Sequence, residues 1–467
     1  VKVEAKGFKA YVAPSISLSS GDRARVDAKL EVGDVSQTVE VSGTVAPALQ
    51  TDTATVGSLV TSQAVEDVPL NGRNVIMLVQ LAPGVNQGSP NDLMSGTRPD
   101  DRRSTTAYSA NGQTDSVNMN MVDGMDNQDP IIATTLIRPS IDAIQEVNVS
   151  TSVYDASNTR SAGAVVDIIT KAGTNDFHGS LYEFFRNAVL NTNPNHAFPS
   201  GYDCSQAANP CAPGTLLLTP VLKKPPFRQN QYGGSIGGPI RRNKTFFFFD
   251  YEKLNKALGL NLLSTVPTLC QRGAVACNGV QQVGNFTDTN LISQYGGSSG
   301  PGGPGPVIPL GSITPMGFAY FDMFPLPNVA NSLQNNYASN PAYTQNGTTF
   351  DIRIDHHFND NNTLFARYSY NDVTTITPGA FPIATISQKD VPANLLAAQP
   401  GFTIPTVTLD PGAAPYAGQN NFPGPALVRA QGILLSYVHV FSPNVVLNLK
   451  AGYSRLGDHV NNLNQGK

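Results

Sequence analysis

At 467 residues the chain is long enough for two or three domains with a sizeable core. Charged residues make up 14%, against roughly 25% in ordinary soluble domains, while 42 Gly and 35 Pro exceed their usual shares, a balance that suits an all-β protein with long loops. A net charge of -4 without a long single-sign run excludes a nucleic-acid footprint. No stretch approaches the ~18 consecutive apolar residues of a membrane helix, which leaves a transmembrane β-barrel open.

The chain opens at Val1 without Met, a basic n-region or an apolar h-region, so any signal peptide is expected upstream. Residues 1 to about 43 alternate with period two, most clearly with Val26, Ala28, Leu30 and Val32 against Arg25, Asp27, Lys29 and Glu31. That pattern predicts half-buried strands at the end of a small β-sandwich. Asn71-Gly72 then turns into a segment with Val75, Leu78 and Val79 at helical spacing, stopped by Ala82-Pro83-Gly84; a short amphipathic helix is expected. Strand-like runs at 107–110, 117–122, 147–153 and 165–170 predict a compact mixed α/β domain of roughly 130 residues.

From Phe177 onward, segments of alternating or aromatic-rich character recur near 177–187, 229–240, 244–255, 349–358, 363–372, 430–441 and 444–455. They predict about seven strands. Arg241-Arg242-Asn243, Asn359-Asp360-Asn361-Asn362 and Ser442-Pro443-Asn444 are tight polar turns, whereas the other links run about 40, 90 and 55 residues. Short and long connections strictly alternate, as they do in an outer-membrane barrel with short periplasmic turns and long extracellular loops.

The faces agree. Phe350, Ile352, Ile354 and Phe358 alternate with Asp351, Arg353 and Asp355, and Val445, Leu447, Leu449, Ala451 and Tyr453 alternate with Asn448, Lys450, Gly452 and Ser454. One face suits lipid and the other a polar lumen. His356 falls on the apolar face, which is tolerable near an interface. Phe246, Phe247, Phe248 and Phe249 after the first tight turn, Phe358 before the second and Phe441 before the third read as one interface girdle.

Cys204 with Cys211 and Cys270 with Cys277 are spaced to close small loops; disulfides are favoured over zinc because no His or acidic cluster lies beside either pair. Gly and Pro richness from 296 to 309 suggests a flexible loop. No G-x-S-x-G, H-E-x-x-H or P-loop is present, so no enzyme is expected. Gly233-Gly-Ser-Ile-Gly-Gly238 lies between strand-like segments without a following helix and reads as a strand rather than a phosphate loop. Adjacent His356 and His357 point to opposite faces of a strand and cannot share a metal.

The stretches Val68-Pro-Leu-Asn-Gly-Arg73, Leu81-Ala-Pro-Gly84, Tyr108-Ser-Ala-Asn-Gly-Gln113, Val122-Asp-Gly124, Gly163-Ala-Val-Val-Asp-Ile-Ile-Thr-Lys-Ala-Gly-Thr-Asn-Asp-Phe-His-Gly-Ser180 and Gln231-Tyr-Gly-Gly-Ser-Ile-Gly-Gly-Pro-Ile240 resemble, in order, the TonB-dependent receptors of the Oar-like group. The resemblance implies a mainly β protein: residues 1–43 as the end of a carboxypeptidase-regulatory-like β-sandwich, 44–172 as a mixed α/β plug, and 173–467 as the first antiparallel strands of an outer-membrane β-barrel. About seven of some 22 strands are present, and the end Asn464-Gln-Gly-Lys467 lacks the family's terminal aromatic residue, so a truncated barrel is expected.

The resemblance further implies location in the bacterial outer membrane, with the N-terminal domain periplasmic and the long loops and cysteine pairs outside. It implies import gated by the periplasmic partner TonB, an unidentified extracellular ligand, outer-membrane lipid as surroundings, and no cofactor. TonB needs an extended segment that can add to its sheet edge. Gln37, Thr38, Val39, Glu40, Val41, Ser42 and Gly43 form the best candidate, although the same run also reads, with more support, as the last strand of the N-terminal sandwich. Tyr108, Asn111, Gly112, Asp123 and Gly124 are candidate plug-loop substrate contacts, although Asn-Gly and Asp-Gly are ordinary turn dipeptides. The rival reading is a non-transporting adhesin or structural surface protein, which needs no folded plug.

Overall fold

The computed structural model describes residues 2–12, 28–30, 32–33, 38–40, 55–68, 70–88, 103, 108–129, 134–152, 161–191, 225–268, 293–294, 314–328, 335–382, 384–387, 401, 403, 406–409, 423–442 and 444–461. The chain divides into two compact units. One comprises residues 1–94, 106–135 and 141–171; the other comprises 95–105, 136–140 and 172–467.

The first unit opens with a small sheet in which β1 (Lys2–Val3) pairs antiparallel and β3 (Thr38–Glu40) parallel with β2 (Ala10–Val12). Of the strand expected around Val26 to Val32, the described residues show only a single bridge from Val32 to Phe8, and Ala28 and Leu30 are outside any strand.

The larger sheet is built from β4 (Val56–Val60), β7 (Met119–Val122), β8 (Met125–Asp126), β9 (Ile144–Ser152) and β10 (Val165–Thr170), while β5 (Val85–Gln87) pairs with β6 (Tyr108–Ala110). Its order is β4-β9-β10-β7-β8, and only β10 with β7 is parallel. Helix α1 (Ser62–Asp67) starts where Thr61 Oγ1 accepts from the Ala64 amide, and α2 (Ile76–Val79) carries the expected helical stripe. Val75, Leu78 and Val79 bury against Val147, Val149 and Ile144; each such side chain contributes about 1.5–3 kcal/mol.

In the second unit the seven expected strands are β11 (His178–Asn187), β12 (Phe227–Arg241), β13 (Thr245–Gly259), β16 (Ala342–Asn359), β17 (Asn362–Thr377), β20 (Gly424–Ser442) and β21 (Val445–Val460). They pair antiparallel in chain order, with β11 and β21 outermost. The six strands from β12 on run 15 to 19 residues, more than the ~9–11 that cross a bilayer. Because the tight turns close one end, the surplus lies toward the long loops. Gly233 to Gly238 lie inside β12, and Pro239 sits at a bulge, where its missing N–H costs least.

One face of this sheet exposes Leu181, Ile236, Phe249, Ile352, Ile354, Ile433, Leu435, Leu449 and Tyr453; the other buries Gln231, Asp250, Asp351, Arg367, Ser369, Asn371 and Ser436. On β16 the apolar belt is bounded by Thr348 and His356, about 27 Å apart along a strand rising ~3.4 Å per residue. Those nine residues match the ~9–11 with which a tilted strand crosses the hydrocarbon layer. The girdle is corrected at one point: Phe246 and Phe248 are buried on the inner face, because successive side chains on a strand point opposite ways, and only Phe247 and Phe249 turn outward. Phe358 and Phe441 are exposed at the tight-turn end as expected. Beside them His356 Nδ1 lies 2.8 Å from Thr245 Oγ1 and His439 Nδ1 lies 2.6 Å from Asn362 Oδ1, so each imidazole has a polar partner at the edge of the belt.

At the long-loop end, β14 (Leu262–Ser264) pairs with β15 (Tyr337–Ser339), β18 (Ala384–Ile386) pairs with β19 (Val407–Leu409), and α3 (Pro315–Asp322) is capped by Thr314. Leu262, Val266, Ala380 and Phe381 bury together with Phe324 and Tyr337 packed on them, so two long loops share one core. Burial there pushes the Tyr337 phenol above its ordinary pKa. Asn336, wholly buried, clamps Val266 from both sides: its Oδ1 accepts from the Val266 amide at 2.7 Å and its Nδ2 donates to the Val266 carbonyl at 2.8 Å. Asn336→Ala orphans two buried backbone groups, with an expected cost of about 2–4 kcal/mol. Limited proteolysis should then cut faster between residues 260 and 341; an unchanged cutting rate would deny the clamp.

Candidate functional site

Two of the glycine-containing turns of the first unit pair two successive left-handed residues. Asn111 and Gly112 have φ of 53° and 75°, and Asp123 and Gly124 have φ of 52° and 74°, the pair of conformations that a two-residue hairpin turn requires. Asp123 and Gly124 close β7 onto β8. The Asp123 carboxylate, buried, accepts from the Thr170 amide at 2.9 Å and the Thr170 hydroxyl at 2.8 Å, and the Gly124 amide donates to Asp167 Oδ1 at 3.0 Å. The turn is thus tied to the end of β10. Asn111 donates from Nδ2 to the Thr151 carbonyl at 2.7 Å, and its amide donates to the Gly84 carbonyl at 2.8 Å. Tyr108 is buried, its hydroxyl donating to Asn120 Oδ1 at 2.9 Å. Tyr108 and Asp123 therefore serve the interior of the first unit, while Asn111, Gly112 and Gly124 are exposed at its turns.

In the second unit, two stretches of chain that precede the long strands lie on the inner face of the sheet. Arg103, buried, donates from Nη1 to the Leu136 carbonyl at 2.6 Å and to Asn371 Oδ1 at 3.2 Å, and its carbonyl accepts from Gln345 Nε2 at 2.9 Å. Ser140 Oγ donates to Asp250 Oδ2 at 2.6 Å, and Ile137 packs over Gly432, where an added Cβ would meet Ile137 Cγ1 at 3.3 Å. Register places Asp250 opposite Asp351 and, one row toward the tight turns on the same face, Arg353 opposite Arg367. Like charges directly opposite repel, so each pair depends on the oppositely charged row beside it. Arg353 is also held by Asp355 at 2.9 Å and covers the Phe365 ring at 4.3 Å, and Ser369 Oγ donates to Asp351. The wall can grip chain segments through charges and amides.

Sequence reasoning anticipated neither Arg103 nor Ser140, whose partners are 268 and 110 residues away. The polar phase of the strands did mark Asp351 as inward. Of the candidate TonB segment, Thr38, Val39 and Glu40 form β3, and 37 and 41–43 lie outside the described residues. All four cysteines and the stretch 296–309 also lie outside them. Among the described residues no group of three or more His, Cys, Asp and Glu is placed to hold a metal ion.

An apolar outer belt, a polar inner wall, and alternating tight and long connections define a membrane-spanning β-sheet protein of the outer-membrane kind. Residues 169–467 match the family model described as outer membrane beta barrel domain, which is more than half of the chain; the protein belongs to that family and resides in the bacterial outer membrane. Over 262 residues it is 25% identical to the TonB-dependent transporter Oar of Myxococcus xanthus, covering 53% of this chain and 21% of Oar. The chain thus spans about a fifth of that relative's length. Among solved structures it is similar to the outer membrane transporter YddB from Escherichia coli, with TM-score 0.44 and 12% identity over 86% of this chain and 39% of that one. It is also similar to the siderophore receptor PirA from Acinetobacter baumannii, with TM-score 0.35 and 14% identity over 87% and 49%. These relatives are transporters and receptors, not enzymes.

Proposed function

We propose that the chain is the plug-bearing part of a TonB-dependent outer-membrane transporter, with residues 1–43 as an accessory β-domain, 44–172 as the plug and 173–467 as barrel strands. The long loops then face outward and the N-terminal domain faces the periplasm. The observation that carries this reading is the bonding of Arg103 and Ser140, which lie in sequence between strands of the mixed α/β unit, to Asn371, Gln345 and Asp250 on the inner wall. A non-transporting adhesin has no use for a folded mixed α/β domain of this size. The grip includes hydrogen bonds from the Arg103 guanidinium and to the Asp250 carboxylate, and bonds with a charged partner contribute about 1.5–3 kcal/mol net each.

The TonB contact is assigned to 37–43. As β3 lies at the edge of its small sheet, leaving β2 for a partner's sheet edge exchanges one set of ladder bonds for another. A photocrosslinking residue at Val39 of the full-length protein is expected to yield an adduct with TonB in energised cells. If no position from 37 to 43 gives an adduct, the contact lies elsewhere; if no position in the whole N-terminal half does, the transport reading falls and the adhesin reading replaces it. Asn111 and Gly112 are proposed as the plug-loop positions available to a substrate.

A further inference from the structure

The first tight turn carries three cations, Arg241, Arg242 and Lys244, all of them exposed. The other two, residues 359–362 and 442–444, carry none, and the former holds Asp360. Among the described residues no carboxylate pairs with any of the three side chains, Asp176 of the segment before β11 included. The turn is held from outside its own hairpin: the Asn243 amide donates to Asn175 Oδ1 at 2.8 Å, and Asn175 Nδ2 donates to Asn243 Oδ1 at 2.7 Å. Arg241 stands opposite Thr245, whose hydroxyl lies 2.8 Å from His356 Nδ1 at the edge of the apolar belt. Arg242 and Lys244 are each one residue further along the turn, ~3.4 Å on a strand, so all three stand at the depth of the headgroup layer, which extends ~5–8 Å beyond the hydrocarbon. On the belt side lies an apolar shelf: Phe177, 70% exposed, has its ring centre 6.4 Å from that of Phe247, and Ile240, 63% exposed, adjoins Arg241.

We propose that Arg241, Arg242 and Lys244 form a docking site for the headgroup of an anionic phospholipid in the leaflet at the tight-turn end, and that cardiolipin, with two phosphates, fills it. Three like charges on one short turn repel, and phosphates among them remove that cost. Each guanidinium fork fits two phosphate oxygens with parallel bonds, and the ammonium supplies a point charge beside them. Cations at a membrane surface add to the attraction for anionic lipid one by one. Phe177, Ile240 and Phe247 meet the acyl chains, a shelf that a soluble acidic partner would leave unused. The inference goes beyond the transport reading and does not use it, since it needs only the belt and its polar edge.

The test is the binding of fluorescent cardiolipin to the full-length protein in neutral detergent, followed by anisotropy. Saturable binding is expected, weakened by roughly fivefold in each of Arg241→Gln, Arg242→Gln and Lys244→Gln and by roughly a hundredfold in the triple variant. Added salt should weaken it as well. Because the triple variant removes repulsion, its urea midpoint in phosphatidylcholine vesicles should not fall; should it fall, Arg241→Lys with Arg242→Lys, which keeps the charge, must retain both midpoint and binding. Absent saturation, equal cardiolipin affinity in the triple variant, or equal affinity of the parent protein for fluorescent phosphatidylcholine would each overturn the site. Displacement of the lipid by an equal concentration of inorganic phosphate would overturn it in favour of a free anion, and displacement by polyglutamate at equal charge would overturn it in favour of an acidic protein. Binding is read without TonB, so its loss leaves the transport reading standing.

Discussion

Replacing Ile352 by Arg is expected to lower the folding free energy of the full-length protein in lipid vesicles by about 2–4 kcal/mol. Ile352 is 38% exposed on the outer face, opposite Phe249 on one side and Tyr368 on the other, midway between Thr348 and His356. At that depth no water or counter-charge is at hand for a guanidinium. The same substitution at Asn346, on the same face but past the polar edge of the belt among Asn255 and Thr374, should cost only ~0–1 kcal/mol. Urea titration of both variants reads the difference. Equal losses would mean that depth does not set the penalty, and the belt would have to be redrawn.

Asp123→Ala is expected to release the end of β10, at a cost of about 4–8 kcal/mol. Two hydrogen bonds from Thr170 to a charged group disappear, each contributing ~1.5–3 kcal/mol, and Ala at a left-handed φ of 52° adds strain of roughly 1–2 kcal/mol. Asp123→Asn tolerates that backbone and keeps one acceptor, so it should lose about half as much. Hydrogen exchange at the Thr170 amide is the local readout. The Asp123 amide still donates to the Ile168 carbonyl in both variants, so the turn itself persists and the loss should appear at Thr170. Wild-type protection there in the Ala variant would show that the carboxylate carries no such load.

The barrel strands were legible in the sequence only across the membrane, and the reason is visible in β16. From Phe350 to Phe358 one phase must meet lipid and the other a polar interior, so the residues alternate. From Ala342 to Thr349 both faces accept polar side chains, as Gln345, Asn346 and Thr348 illustrate, and period two vanishes although the strand continues. Near Val32 the described residues show only the bridge to Phe8. Helix α1 was missed because six residues capped by Thr61 offer too little periodicity to read. The candidate site divides the same way: Asp351 was marked by strand phase, whereas Arg103 and Ser140 sit in segments with no period and meet partners far along the chain.

The two histidines at the tight-turn end also have a mechanical meaning. His356 stands edge-on to Phe358 at 4.4 Å between ring centres, and His439 to Phe441 at 4.1 Å. Each couple, an imidazole two residues ahead of a phenyl ring just before a chain reversal, works as a waterline mark on the hull of the sheet. Rising by one residue pair would drag both imidazoles and their Thr245 and Asn362 partners into oil, and sinking would lower hydrocarbon side chains such as Leu364 into water. The protein's vertical position is thereby set at its lower rim, leaving the opposite end free to rearrange without changing its draught.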